Sequence, residues 1–74
     1  MDAEKTGQLI REKREALRLT QNELAALLHI SGKAVSKWER GLSFPDISLL
    51  IPLSEILEVS LYDILSGGGA HGAE

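Results

Sequence analysis

The sequence predicts an all-α fold, a compact bundle of five helices, on three observations. Apolar residues recur at helical spacing in the first three segments, and a fourth is rich in isoleucine and leucine. Side chains that cap helix N-termini stand ahead of four segments, at Thr20, Ser31, Asp46 and Ser60. One junction is also written twice: Leu28-His29-Ile30-Ser31 and Leu57-Glu58-Val59-Ser60 both run leucine, turn residue, aliphatic, capping serine. Each reads as a helix end followed at once by a helix start. With 74 residues the chain suffices for one small domain with a marginal core, so stability must come from well-packed helices.

Residues 1–5 read as a flexible leader. A first helix is expected from Thr6 or Gly7 to Leu17, with Leu9, Ile10, Ala16 and Leu17 as its apolar side. Its charges, Arg11, Lys13 and Arg14 against Glu12 and Glu15, read mostly as solvated pairs. Thr20 and Glu23 then form a capping box, and Gln21 opens a second helix whose stripe is Leu24, Ala25, Leu27 and Leu28. After about three residues, Ser31 caps a third helix spanning residues 32–40.

That third helix has two unlike faces. At about 100° per residue, Ser36, Lys37 and Arg40 lie within about 60° of Lys33, whereas Ala34, Val35 and Trp38 point the other way. Residues 21–40 therefore form a helix-turn-helix pattern, with one face to pack and the other free to carry cations into a phosphate-lined groove. Trp38 could stack on a base, but its place beside Ala34 and Val35 assigns it to the core.

Gly41 to Pro45 reads as a loop, with Gly41 suited to a left-handed helix end and Pro45 forcing Phe44 to be extended. Asp46 caps a fourth helix over residues 47–57. Pro52 removes a donor to the Ser48 carbonyl, which predicts a kink or a 3-10 turn before it. Ser60 and Asp63 start a short fifth helix over residues 61–66. Residues 67–74, half of them glycine, are expected to form a disordered tail. The domain proper is thus residues 6–66.

The net charge of -3 looks wrong for an anionic partner. The distribution corrects this: all eight basic residues lie within residues 1–40 against six acids, whereas residues 41–74 hold five acids and no base. The absence of cysteine excludes disulfide staples and thiolate metal sites and fits a reducing cytoplasm. No signal peptide or membrane-length apolar run is present in the chain, so a cytoplasmic protein is expected. His29 reads as a plain turn residue and His71 has no partner ligand nearby. No carboxylate pair, nucleophile–base set, metal cluster or phosphate-cradling loop stands out, so neither an enzyme nor a cofactor site is expected.

The pattern TQxELAxxLxISxKAVSKWERGxSFPDISLLIPLSEIL resembles the helix-turn-helix domain of the phage repressor and Cro family of transcription regulators, the xenobiotic-response-element type. The likeness covers residues 7–67 and implies a bundle of the lambda-repressor-like DNA-binding type, bacterial or phage-encoded. By that resemblance Arg14 pairs with Glu39, locking the first helix to the third, and a planar guanidinium suits such a pair. Gln21 would bond a DNA phosphate and brace the recognition helix. Lys33 and Lys37 would contact bases, Ser31 and Ser36 a base edge or phosphate, and Arg40 the backbone. Gly32 departs from the pattern, since relatives often place a base-reading side chain there. Relatives usually have glycine or asparagine at the places of His29, Glu58 and Arg18 as well.

The implied function is sequence-specific binding of a double-stranded DNA operator by a transcription regulator, most simply a repressor. Half-sites about 34–36 Å apart call for a homodimer, with Leu61, Tyr62 and Leu65 as interface candidates. Relatives often carry a further sensing or membrane segment after this domain. The competing expectation is a protein-interaction module such as an antitoxin, for which Gly32 and the acidic second half speak.

Overall fold

The computed structural model describes residues 2–67. Five helices follow in order: α1 (Ala3–Ala16), α2 (Gln21–Leu28), α3 (Gly32–Glu39), α4 (Ile47–Leu57) and α5 (Leu61–Ser66), with no strand among the described residues. Each contributes to one core. Ile10 comes from α1, Leu24, Ala25 and Leu28 from α2, Val35 and Trp38 from α3, Leu53 and Leu57 from α4, and Ile64 from α5. The third helix packs against both α1 and α2, so its pose is set from two sides.

The helix starts follow from the capping chemistry. Thr20 Oγ1 accepts from the Glu23 N–H at 3.0 Å while Glu23 Oε1 accepts from the Thr20 N–H at 2.8 Å, closing the capping box. Ser31 and Ser60 accept from Ala34 and Asp63 N–H groups in the same way. Asp46 caps α4 by taking both the Ser48 N–H and the Ser48 hydroxyl, at 3.0 and 2.6 Å. These bonds hold its carboxyl below the usual carboxylate range, because they favour the charged form.

The helix ends turn through left-handed residues. His29, Glu58 and Arg18 all have φ of 60°, so three side-chain-bearing residues occupy a region that L residues enter at a cost of about 1 kcal/mol. Replacing His29 or Glu58 with glycine is therefore expected to stabilise the domain by up to about 1 kcal/mol. A melting temperature lowered by both substitutions would show that lost side-chain contacts outweigh the relieved strain.

Three sequence expectations need correction. The leader is helical from Ala3, because Asp2 accepts from the Glu4 and Lys5 N–H groups at 3.0 and 3.2 Å. That first turn is also packed: Glu4 lies against Gly41 and Lys5 against Gly67, and the buried Thr6 hydroxyl donates to the Ile64 carbonyl at 2.7 Å. Ala16 and Leu17 are exposed and Leu27 is 54% exposed, so the apolar sides of α1 and α2 are narrower than composition implied. The first helix instead buries Thr6, Gly7, Leu9, Ile10 and Arg14.

Finally, of the two alternatives for Pro52, the 3-10 turn before it does not form, because residues 47–57 make one α-helix throughout. At its first turn the Leu49 N–H donates to the Asp46 carbonyl at 2.8 Å. Ser48, which loses the donor from residue 52, is exposed, so solvent can supply the missing bond. Gly67 serves as the left-handed end of α5, with φ of 80°, while the rest of the expected tail lies outside the described residues.

Candidate nucleic-acid interface

The third helix presents its two faces as its sequence phase demands. Val35 and Trp38 are buried, Ala34 packs on the core margin, and Lys33, Lys37 and Arg40 are exposed. Arg40 stands one residue past the helical span, as its C-cap, and its Nε–H folds back to the Ser36 carbonyl at 3.3 Å. Ser36 is half-buried and Ser31 is exposed. Among the described residues none of these three cations pairs with a carboxylate. By contrast, Arg11 pairs with Glu15 and Arg14 with Glu39. The cations on α3 are left electrostatically unspent, facing away from the core.

Behind that edge sits a polar clamp. Arg14 donates through Nε to Glu39 Oε2 at 2.6 Å and through Nη2 to Glu39 Oε1 at 3.0 Å, the two-pronged match of guanidinium to carboxylate. Its remaining arm, Nη1, donates to the Leu19 carbonyl at 2.6 Å. Gln21 Nε2 donates to the same Glu39 Oε1 at 3.0 Å. One carboxylate thus ties the end of α1, the start of α2 and the end of α3. The two side chains are only 10% and 4% exposed, and the carboxylate raises the guanidinium pKa above its ordinary value despite the opposing cost of burial.

At the other end of α3, Gly32 meets α2. A β-carbon on Gly32 would run into the Asn22 carboxamide oxygen and lie 3.1 Å from Asn22 Cγ and 3.7 Å from Asn22 Cα. The carboxamide of Asn22 therefore occupies the room that a side chain at residue 32 would need. No sequence signal singles out Asn22; only the close approach of the two helices does.

The interface candidates on α5 are Leu61, 40% exposed, Tyr62, 62% exposed, and Leu65, half-buried. Apolar exposure as large or larger lies at Ile47 (82%) and Leu42 (64%), and Ile51 is 59% exposed. Ile47 and Ile51 are about one turn apart on α4, so their side chains share a face of the helix. Among the described residues no three histidine, cysteine or acidic side chains gather to hold a metal, and no helix is long and apolar enough to cross a membrane.

This geometry has counterparts among known proteins. The chain is 46% identical over 61 residues to the HTH-type transcriptional regulator DicA of Escherichia coli K12, covering 82% of this chain and 45% of that protein. It is 36% identical over 58 residues to the HTH-type transcriptional activator BcrR of Enterococcus faecalis, covering 78% of this chain and 28% of that protein. The chain thus spans less than half the length of these curated relatives. A crystal structure of the P22 c2 repressor with a synthetic operator superposes with a TM-score of 0.79 at 34% identity, over 84% of this chain and 94% of that one. The clp gene regulator ClgR of Corynebacterium glutamicum superposes with a TM-score of 0.80 at 27% identity, over 99% of this chain and 78% of that one. The family model described as helix-turn-helix matches residues 10–64, and the chain belongs to that helix-turn-helix family.

Proposed function

We propose that the chain is the sequence-specific, double-stranded-DNA-binding domain of a transcriptional regulator, and that it acts as a repressor. The observation that carries this reading is the free edge of α3, where Lys33, Lys37 and Arg40 stand exposed and unpaired among the described residues. With α3 in the major groove, Lys33 and Lys37 reach base edges, and Ser31, Ser36 and Arg40 reach bases or phosphates at its margins. The likeness to a repressor held on operator DNA supports the same docking. Gln21, fastened to α3 through Glu39, is placed at the start of α2, where a phosphate passes in such docking.

One short helix reads few base pairs, so useful specificity calls for a homodimer on a two-fold operator. Leu61, Tyr62 and Leu65, together with the exposed Ile47 and Ile51, supply apolar area for that contact. Action on DNA in a bacterial or phage setting places the protein in the cytoplasm.

The reading is tested by titrating duplex DNA at several salt concentrations. Log affinity should fall steeply with log salt, and Lys33→Ala or Lys37→Ala should each cost about tenfold or more in affinity without lowering the melting temperature. Binding indifferent to both lysines, with a protein footprint on α4 and α5 instead, would replace DNA recognition by a protein-interaction role.

A further inference from the structure

The first position of α3 is the end that enters a groove first, yet Gly32 offers no side chain there. The structure fills that vacancy from the neighbouring helix. Asn22 stands at the second position of α2, and its carboxamide oxygen lies in the place of the missing β-carbon. Capping of α2 is already done by Thr20 and Glu23, so Asn22 has no local task. Among the described residues no hydrogen bond engages its carboxamide, and the residue is exposed. An exposed amide with a free donor and a free acceptor, leaning on the leading end of a recognition helix, is arranged for a ligand.

We propose that Asn22 is a specificity-determining residue: it reads one base pair at the outer edge of each half-site, in the role that a side chain at residue 32 would otherwise play. The inference rests on the DNA-binding reading above. The chemistry it fits is the major-groove edge of adenine, whose N6 amino group donates and whose N7 accepts, matching a carboxamide in two parallel bonds. Gly32 and Asn22 then form one unit. Glycine at residue 32 is what lets the amide lie across the helix start, and any β-carbon there pushes the amide aside. The atom displaced is the end of a flexible exposed side chain, so the fold can tolerate the change while the readout cannot.

The experiment selects bound duplexes from a random pool with the 74-residue chain and with its Asn22→Ala and Gly32→Ala variants, then measures affinity on single-base variants of the selected site. Wild type should prefer adenine at one outer position of each half-site. Asn22→Ala should lose about ten- to hundredfold of the discrimination at that position alone. Gly32→Ala should lose it too, and the double variant should lose no more than either single one, because both remove the same contact. Unchanged melting temperatures show that the variants fold. A uniform loss of affinity across all sequences, with the salt slope reduced by about one, would make Asn22 a phosphate contact and overturn the proposal. Unaltered base preference in Asn22→Ala would overturn it as well while leaving DNA binding intact. A wild-type chain that selects no duplex would instead defeat the DNA reading itself, and this inference with it.

Discussion

Replacing Arg14 with methionine is expected to cost about 3 kcal/mol of stability, a large share of the roughly 4–11 kcal/mol that a domain of 74 residues commands. The reason is what the substitution leaves behind. Glu39, with a side chain 4% exposed, would keep a nearly buried negative charge with only Gln21 to donate to it. The Leu19 carbonyl would lose the Nη1 donor that holds the loop between α1 and α2. Arg14→Lys keeps the charge but not the fork and should cost less, about 1–2 kcal/mol. Glu39→Gln falls in a similar range, about 1–3 kcal/mol. The double variant Arg14→Met with Glu39→Leu should recover part of the loss, because it removes the stranded charge rather than isolating it. Urea unfolding midpoints at constant m-value measure all four. If Arg14→Met sits within about 0.5 kcal/mol of wild type, the pair decorates the surface and does not lock the helices.

The helix starts were legible because they are local chemistry. A capping side chain and its target N–H lie within three residues, so Thr20 with Glu23, Asp46 with Ser48, and Ser60 with Asp63 need no knowledge of the rest of the molecule. The repeated junction was legible for the same reason, and His29 and Glu58 both take the left-handed turn that their shared context implies. The division of α3 into a buried and an exposed face needed only the helical period.

What escaped was set by contacts distant in sequence. The first turn of α1 is ordered by Gly41 and Gly67, which meet it from the far ends of α3 and α5. Asp2 caps that turn, but a cap alone does not order a chain end. Leu27 carries the right chemistry for the stripe of α2 and stands exposed, since which flank of a stripe is covered depends on where the neighbours lie. The role of Asn22 follows only from the closeness of α2 to the start of α3. The resemblance supplied the pairing of Arg14 with Glu39; the structure adds that Gln21 hangs on the same carboxylate, so the clamp that stabilises the bundle also poses a side chain beside the cationic edge.

The second large effect is expected at Gly7, where two rules of thumb give opposite signs. Gly7 lies inside α1, and in an isolated helix alanine would be better than glycine by about 0.5–1 kcal/mol. In this bundle a β-carbon at residue 7 would fall deep inside the van der Waals radius of the Trp38 carbonyl oxygen, and 3.1 Å from both Trp38 C and Glu39 Cα. These are backbone atoms and cannot rotate away. The Trp38 carbonyl is also held by the Gly41 N–H at 3.0 Å, so relief requires α1 and α3, which the Arg14–Glu39 pair joins, to move apart. Gly7→Ala is therefore expected to destabilise the domain by about 2–3 kcal/mol, the overpacking cost exceeding the propensity gain. The same shift should loosen the clamp, so Gly7→Ala and Arg14→Met together should cost less than the sum of their separate effects. Should Gly7→Ala instead raise the unfolding midpoint, helix propensity would have won, and α1 could not approach α3 as closely as the Trp38 carbonyl requires.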